Sequence, residues 1–123
     1  MPTLGRELES ILRWLRRTHP LPIPVRVYLT YRVPTDCNGM IEGDELPWHR
    51  NKWLRIRLRA GIPQIELRET LLHEWAHGLT ALHQDHANSQ MDHDSIFTHA
   101  YTSLVEEFQV AFSYLPLRRD RLW

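Results

Sequence analysis

The sequence predicts a single α+β domain, a small sheet packed on one side by helices. Three observations carry that expectation. Apolar residues recur at helical spacing at the start of the chain and again through its second half. Between these stretches, two short segments alternate apolar and polar residues with a period of two. Proline, glycine and Asp-Cys-Asn-Gly clusters separate the runs. At 123 residues, 42% of them apolar, the chain has the size and composition of one domain with one core, residues 1–123.

Leu4, Leu8, Ile11, Leu12 and Leu15 share one helical face, with Arg6, Arg13, Arg16 and Arg17 between them, so residues 3–18 are expected to form an amphipathic helix. His19-Pro20-Leu21-Pro22-Ile23-Pro24 stops it, because proline lacks the donor and clashes with the preceding turn. Val25, Val27, Leu29 and Tyr31 alternate with Arg26, Tyr28, Thr30 and Arg32, the pattern of a half-buried strand. Asp36 to Gly39 is a turn, Met40-Ile41 begins a short second strand, and residues 43–51 are a polar loop. Leu54, Ile56 and Leu58 alternate with Arg55, Arg57 and Arg59 in a further strand, ended by Gly61 and Pro63. A helix over residues 65–82 follows, with Glu66 and Glu69 near its positive end. After a polar loop at 83–91, a last helix spans about 92–114, with Ile96, Phe97, Ala100, Tyr101, Leu104, Phe108 and Ala111 on one face, Ser89 or Asp92 as cap, and Pro116 as stop. Residues 115–123 are a basic tail, expected to fray. The sheet is short and mixed or antiparallel.

The bulk numbers favour no charged partner, and nucleic acid is a possible but not a favoured one. Fifteen basic residues balance fifteen acidic ones, so no global field steers the chain toward nucleic acid, a membrane surface or an acidic substrate. One cysteine, Cys37, cannot form an internal disulfide, which points to a reducing compartment. The first ten residues hold Arg6, Glu7 and Glu9 and no apolar core of a signal peptide, and no stretch approaches the ~18 apolar residues of a membrane span. A cytoplasmic location with no membrane partner is the expectation.

Six of the eight histidines fall between His73 and His99, and they include His73-Glu74-Trp75-Ala76-His77. Residues four apart on a helix are rotated by about 40° and separated by about 6 Å. His73 and His77 therefore point the same way from consecutive turns, as two imidazoles on one zinc ion must. Glu74, one step along, stands beside the metal, where its carboxylate can take a proton from an activated water. Leu71 and Leu72 anchor the opposite face. A catalytic zinc needs a third protein ligand and an open position. The candidates are His93, His83, His86 and the carboxylates Glu106 and Glu107. His83 reproduces the metzincin spacing, but Thr80 stands where that pattern has a glycine, and a helix continuing through Thr80 would turn His83 away.

His73-Glu74-Trp75-Ala76-His77-Gly78-Leu79, followed by a polar loop and His93-Asp94-Ser95-Ile96-Phe97, resembles the SprT-like and related minimal zincin (HExxH) metallopeptidases. The resemblance extends over about residues 25–112, though only the two histidine motifs are specific. It implies a small zincin-like domain, a hydrolase of peptide bonds, with one catalytic Zn2+ held by His73, His77 and His93, Glu74 as the catalytic residue, and a peptide or protein substrate. It also implies that the substrate pairs with a sheet edge, here residues 40–41 or 54–58. Asp94 stands where the family commonly has glycine, and with Cys37 alone there is no four-cysteine zinc ribbon, so the DNA-linked roles of the family are not implied.

Other residues read more plainly. Asp92 and Asp94 are an N-cap and a first-turn acid, or partners of a ligand imidazole. Tyr101 is a core tyrosine, or a donor to a developing oxyanion. Trp48 and His49 lie in the loop before the charged strand, His19 and His99 at the surface, and Cys37 in a turn. Arg50, Lys52, Arg55, Arg57 and Arg59 form a stripe that, in a neutral chain, reads as a solvated strand face. The rival to the peptidase is a non-catalytic, zinc-stabilised binding or regulatory module touching nucleic acid through that stripe. An intact Glu74 argues against it.

Overall fold

The structure is a computed structural model that describes residues 2–44, 51–80 and 95–118. In chain order these form α1 (Gly5–Thr18), β1 (Val25–Thr30), β2 (Gly39–Gly43), β3 (Leu54–Arg59), α2 (Gln64–Leu79) and α3 (Ser95–Ala111). It is a small α+β architecture of helices and a three-stranded mixed sheet, as the periodicities predict. Among the described residues no helix is long and apolar enough to cross a membrane.

The strand order is β1-β3-β2. β1 runs parallel to β3, with Val25 opposite Leu54 and Thr30 opposite Arg59, and β2 runs antiparallel to it, with Ile41 opposite Ile56. The Arg-rich strand is therefore the centre of the sheet. Residues 54–58 cannot serve as an edge for a substrate, because both of their hydrogen-bonding sides are taken. Residues 40–41 do lie on an edge strand. Leu54, Ile56 and Leu58 are buried, and Val25, Val27 and Leu29 pack against the same core. All the odd-numbered residues of β3 therefore turn to the other face.

The core face is covered by helices, and α2 lies against β2, β3 and α3. α1 buries Leu8, Ile11, Leu12, Trp14 and Leu15. Trp14 meets Phe108 and Phe112 of the α3 region edge-on, at 6.0 and 5.6 Å between ring centres. Arg68 grips the Glu7 carboxylate with two contacts, 2.7 and 3.0 Å, tying α1 to α2. Burial raises the Glu7 pKa, but the hydrogen bonds from Arg68 and Gln64 and the Arg68 charge outweigh it and hold the carboxyl below its ordinary value. The proline connector is pinned by Trp75, whose Nε1–H donates to the His19 carbonyl at 2.8 Å.

Two helix ends differ from the periodic reading. α2 stops at Leu79 rather than running to residue 82. Thr80 leaves the helix at φ −101°, ψ 5°, and its hydroxyl donates to the Ala76 carbonyl at 2.9 Å, closing the last turn. The described part of the last helix runs from Ser95 to Ala111 and turns away before Tyr114. The start of the tail is also not frayed. Arg118 donates through its backbone N–H and guanidinium to Glu69, at 2.6 and 3.2 Å, and its guanidinium reaches Glu66 at 3.2 Å.

Gly39, opposite Leu58, is required by close approach. A methyl group there would lie 2.9 Å from the Arg57 carbonyl and 2.5 Å from the Thr70 side chain, so the β2–β3 pairing would have to open. Gly39→Ala is expected to cost about 1–3 kcal/mol, as overpacking does. A chemical denaturation midpoint unchanged from wild type would show that this approach is not tight.

Candidate metal centre

α2 is buried through its C-terminal half. His73, Glu74 and His77 are 8%, 8% and 5% exposed, between the fully buried Leu71, Leu72, Trp75 and Ala76. The helix is apolar on more than one side because the sheet covers it on one and α3 on another. Three polar groups that ordinarily seek water are thus held in the interior by their position on this helix.

The two imidazoles stand one helical turn apart, ring centres 4.9 Å from each other and planes at 77°. Phe97 of α3 lies against both, stacked on His77 at 4.2 Å and edge-on to His73 at 5.0 Å. Tyr101, one turn along α3, lies 5.5 Å from His73 and parallel to Phe97. A stacked phenyl ring covers the face of an imidazole and leaves its nitrogens, which lie in the ring plane, at the edge. Phe97 therefore orients His77 without capping its ligand atoms. Tyr101 is a core tyrosine, 3% exposed. Burial, with help from the Glu69 charge, pushes its phenol upward, so it remains a proton donor at neutral pH.

Burial alone pushes the Glu74 carboxyl up to about 8. Its charge also reaches Cys37, whose thiol is raised chiefly by burial and then by Asp36 and Glu74. Cys37 sits in the turn expected for it, with its N–H on the Pro34 carbonyl at 3.0 Å, and a raised pKa makes it a poor nucleophile.

The donor set suits zinc. With Zn–N bonds of about 2.0–2.1 Å, two imidazoles on one tetrahedral ion hold their ring centres about 5 Å apart. The His73–His77 separation meets that requirement, and imidazole nitrogen is a ligand type zinc prefers. Among the described residues no group of three His, Cys, Asp or Glu side chains gathers as a metal cluster. His93, the ligand implied by the family pattern, lies outside the described residues, as do His83, His86, Asp92, Asp94, Trp48 and His49. The end of α2 at Leu79 removes the helical rotation that would have turned His83 away.

Glu106 and Glu107 are excluded as ligands. Both are exposed, and Glu107 lies 3.1 Å from the His19 ring, on the side of α3 that faces the end of α1. The side of α3 facing His73 and His77 is apolar and carries Phe97 and Tyr101. The same contact corrects the placement of His19, which is half-buried and packs edge-on to Trp14 at 5.5 Å, whereas His99 is exposed as expected.

The sequence pattern gives Glu69 only a place near the start of the helix. It is 2% exposed and one turn before His73, so Glu69, His73 and His77 follow one face of α2 at intervals of four. Its carboxylate is held by Arg118. That spacing is visible in the sequence, but the arginine that neutralises it is 49 residues away. The chain matches no protein-family model, no curated protein and no solved structure.

Proposed function

We propose that this chain is a cytoplasmic zinc-dependent peptidase, with His73 and His77 as ligands, His93 as the third, and Glu74 as general base. The observation that carries this reading is a buried carboxylic acid placed directly after one of two buried imidazoles whose ring separation suits a single tetrahedral ion. A purely structural site needs the imidazoles but has no use for an adjacent buried carboxyl, whose burial costs stability.

A bound zinc would supply Lewis acidity that makes water nucleophilic near neutral pH and polarises a peptide carbonyl. The protein's own groups do the rest. Glu74 accepts the proton of the attacking water and delivers it to the leaving amine. Phe97 and Tyr101, packed against the two imidazoles, exclude bulk water, which strengthens each electrostatic contact inside. The peptide or protein substrate adds as a strand to the edge of β2 that is left unpaired among the described residues, beside α2.

Metal content by mass spectrometry tests the ligand set. Wild type should carry one zinc per chain, and His73→Ala, His77→Ala and His93→Ala should each lose it. Zinc kept in His93→Ala and lost in His83→Ala would transfer the third position to His83. Metal-free wild type, purified without chelators, would end the enzyme reading.

A further inference from the structure

The face of the sheet turned away from the helices is a separate surface with its own charge. The register places Arg26, Arg55 and Glu42 in one row across the three strands, Tyr28, Arg57 and Met40 in the next, and Thr30 and Arg59 in a third. Rows of this kind lie about 7 Å apart along the strands, and neighbouring strands about 4.8 Å apart. Four arginines thus share this face with one carboxylate, in a chain whose overall charge is zero. Strand periodicity alone reads the arginines as a solvated stripe. Only the central position of β3 brings Arg26 of β1 alongside them.

The local acids do not cancel the charge. Glu42 is shared, 3.3 Å from Arg55 and 2.8 Å from Arg57, so one carboxylate serves two guanidinium groups. Arg59 is held through Nε and Nη2 by the carbonyls of Val33, Pro34 and Cys37, which leave its charge intact. Arg26 is exposed and has no carboxylate within ion-pair distance among the described residues. Aromatic rings border the same face. Trp53, just before β3, is 37% exposed and carries the Arg55 guanidinium 4.9 Å over its ring, and Tyr28 sits in the middle row.

We propose that this sheet face binds single-stranded nucleic acid. Charge complementarity selects a polyanion, because guanidinium groups fixed on a rigid sheet pair with phosphates without ordering flexible side chains first. The interleaved Trp53 and Tyr28 select a polyanion with flat bases, which stack on aromatic and guanidinium planes. An acidic peptide offers charge without rings. A duplex hides its bases. The surface is independent of the zinc site, on the other side of the sheet from α2, so binding persists whether or not the protein cleaves peptides.

Fluorescence anisotropy with a labelled oligothymidine of about twenty nucleotides tests this, on the full chain and with zinc both present and chelated. Saturable binding is expected at low salt. With Arg26, Arg55 and Arg57 on phosphates, its logarithm should fall with the logarithm of salt concentration at a slope of about −2. Arg26→Ala, which disturbs no ion pair among the described residues, should weaken binding roughly threefold to tenfold, and Trp53→Ala roughly tenfold. Glu42→Gln should strengthen it severalfold by releasing Arg55 and Arg57, a gain that a merely structural role for this trio would not produce. Four results would each overturn the proposal: no saturable binding at low salt, unchanged affinity in Arg26→Ala with loss in Arg121→Ala of the tail, equal competition by polyglutamate, or tighter binding of a duplex of the same length.

Discussion

Glu74→Gln is expected to retain one zinc per chain while peptide hydrolysis falls by roughly 10²–10⁴-fold, the range for loss of a general acid–base group. The amide has the shape of the protonated acid and fits the same 8%-exposed site, so His73 and His77 keep their geometry. What is lost is the capacity to accept a proton. The measurement is kcat on an unstructured peptide with zinc-loaded protein, alongside metal content of the same samples. Full activity in the variant would remove Glu74 from the mechanism. Loss of both zinc and activity would mean that the carboxyl supports the site structurally, and the rate comparison would no longer report on proton transfer.

The metal-free protein should lose stability as pH rises from about 4.5 to about 8. The sign follows from the direction of the shift. In the unfolded chain Glu74 ionises near its ordinary value of 4.5, whereas in the folded protein burial holds the proton until about 8. Between those values the folded state binds the extra proton, and raising pH favours unfolding by about 1.4 kcal/mol per unit, several kcal/mol across the window. Glu7 opposes this. Its lowered pKa contributes stability above the ordinary carboxylate value, which is lost as pH falls through the folded value, but burial offsets part of the lowering by Arg68 and Gln64 and its effect is smaller. Comparing wild type with Glu74→Gln isolates the Glu74 component. Denaturant unfolding of both proteins in chelator, from pH 5 to about 8, should show a downward slope in wild type that is absent in the variant. Parallel curves would mean that Glu74 is solvated or paired in the folded protein. In zinc-loaded protein the adjacent positive charge favours the carboxylate, and the slope should shrink.

Local patterns were legible in the sequence because they depend on neighbours along the chain. The apolar spacing of Leu8, Ile11, Leu12 and Leu15 is that of α1, and the alternation of residues 54–59 is that of β3. The pairing of His73 with His77 belongs to the same class, since residues four apart on any helix share a face. Even Gly61, which bends the chain after β3 at φ 90°, was visible as a stop.

What the tertiary structure decided concerns residues distant in sequence. Strand order depends on which edge of β3 each neighbour takes, and no local periodicity encodes it. That order made the Arg-rich strand central and set Arg26 beside Arg55. Which side of α3 faces α2 determined that Phe97 and Tyr101, rather than Glu106 and Glu107, meet the histidines. Arg118 neutralises Glu69 only because the chain returns across α2 after α3. The sequence by itself thus determined the helix that carries the site chemistry. The fold determined the surroundings that bury His73, Glu74 and His77, because the burial that shifts Glu74 and orients both imidazoles comes from surfaces brought together by packing.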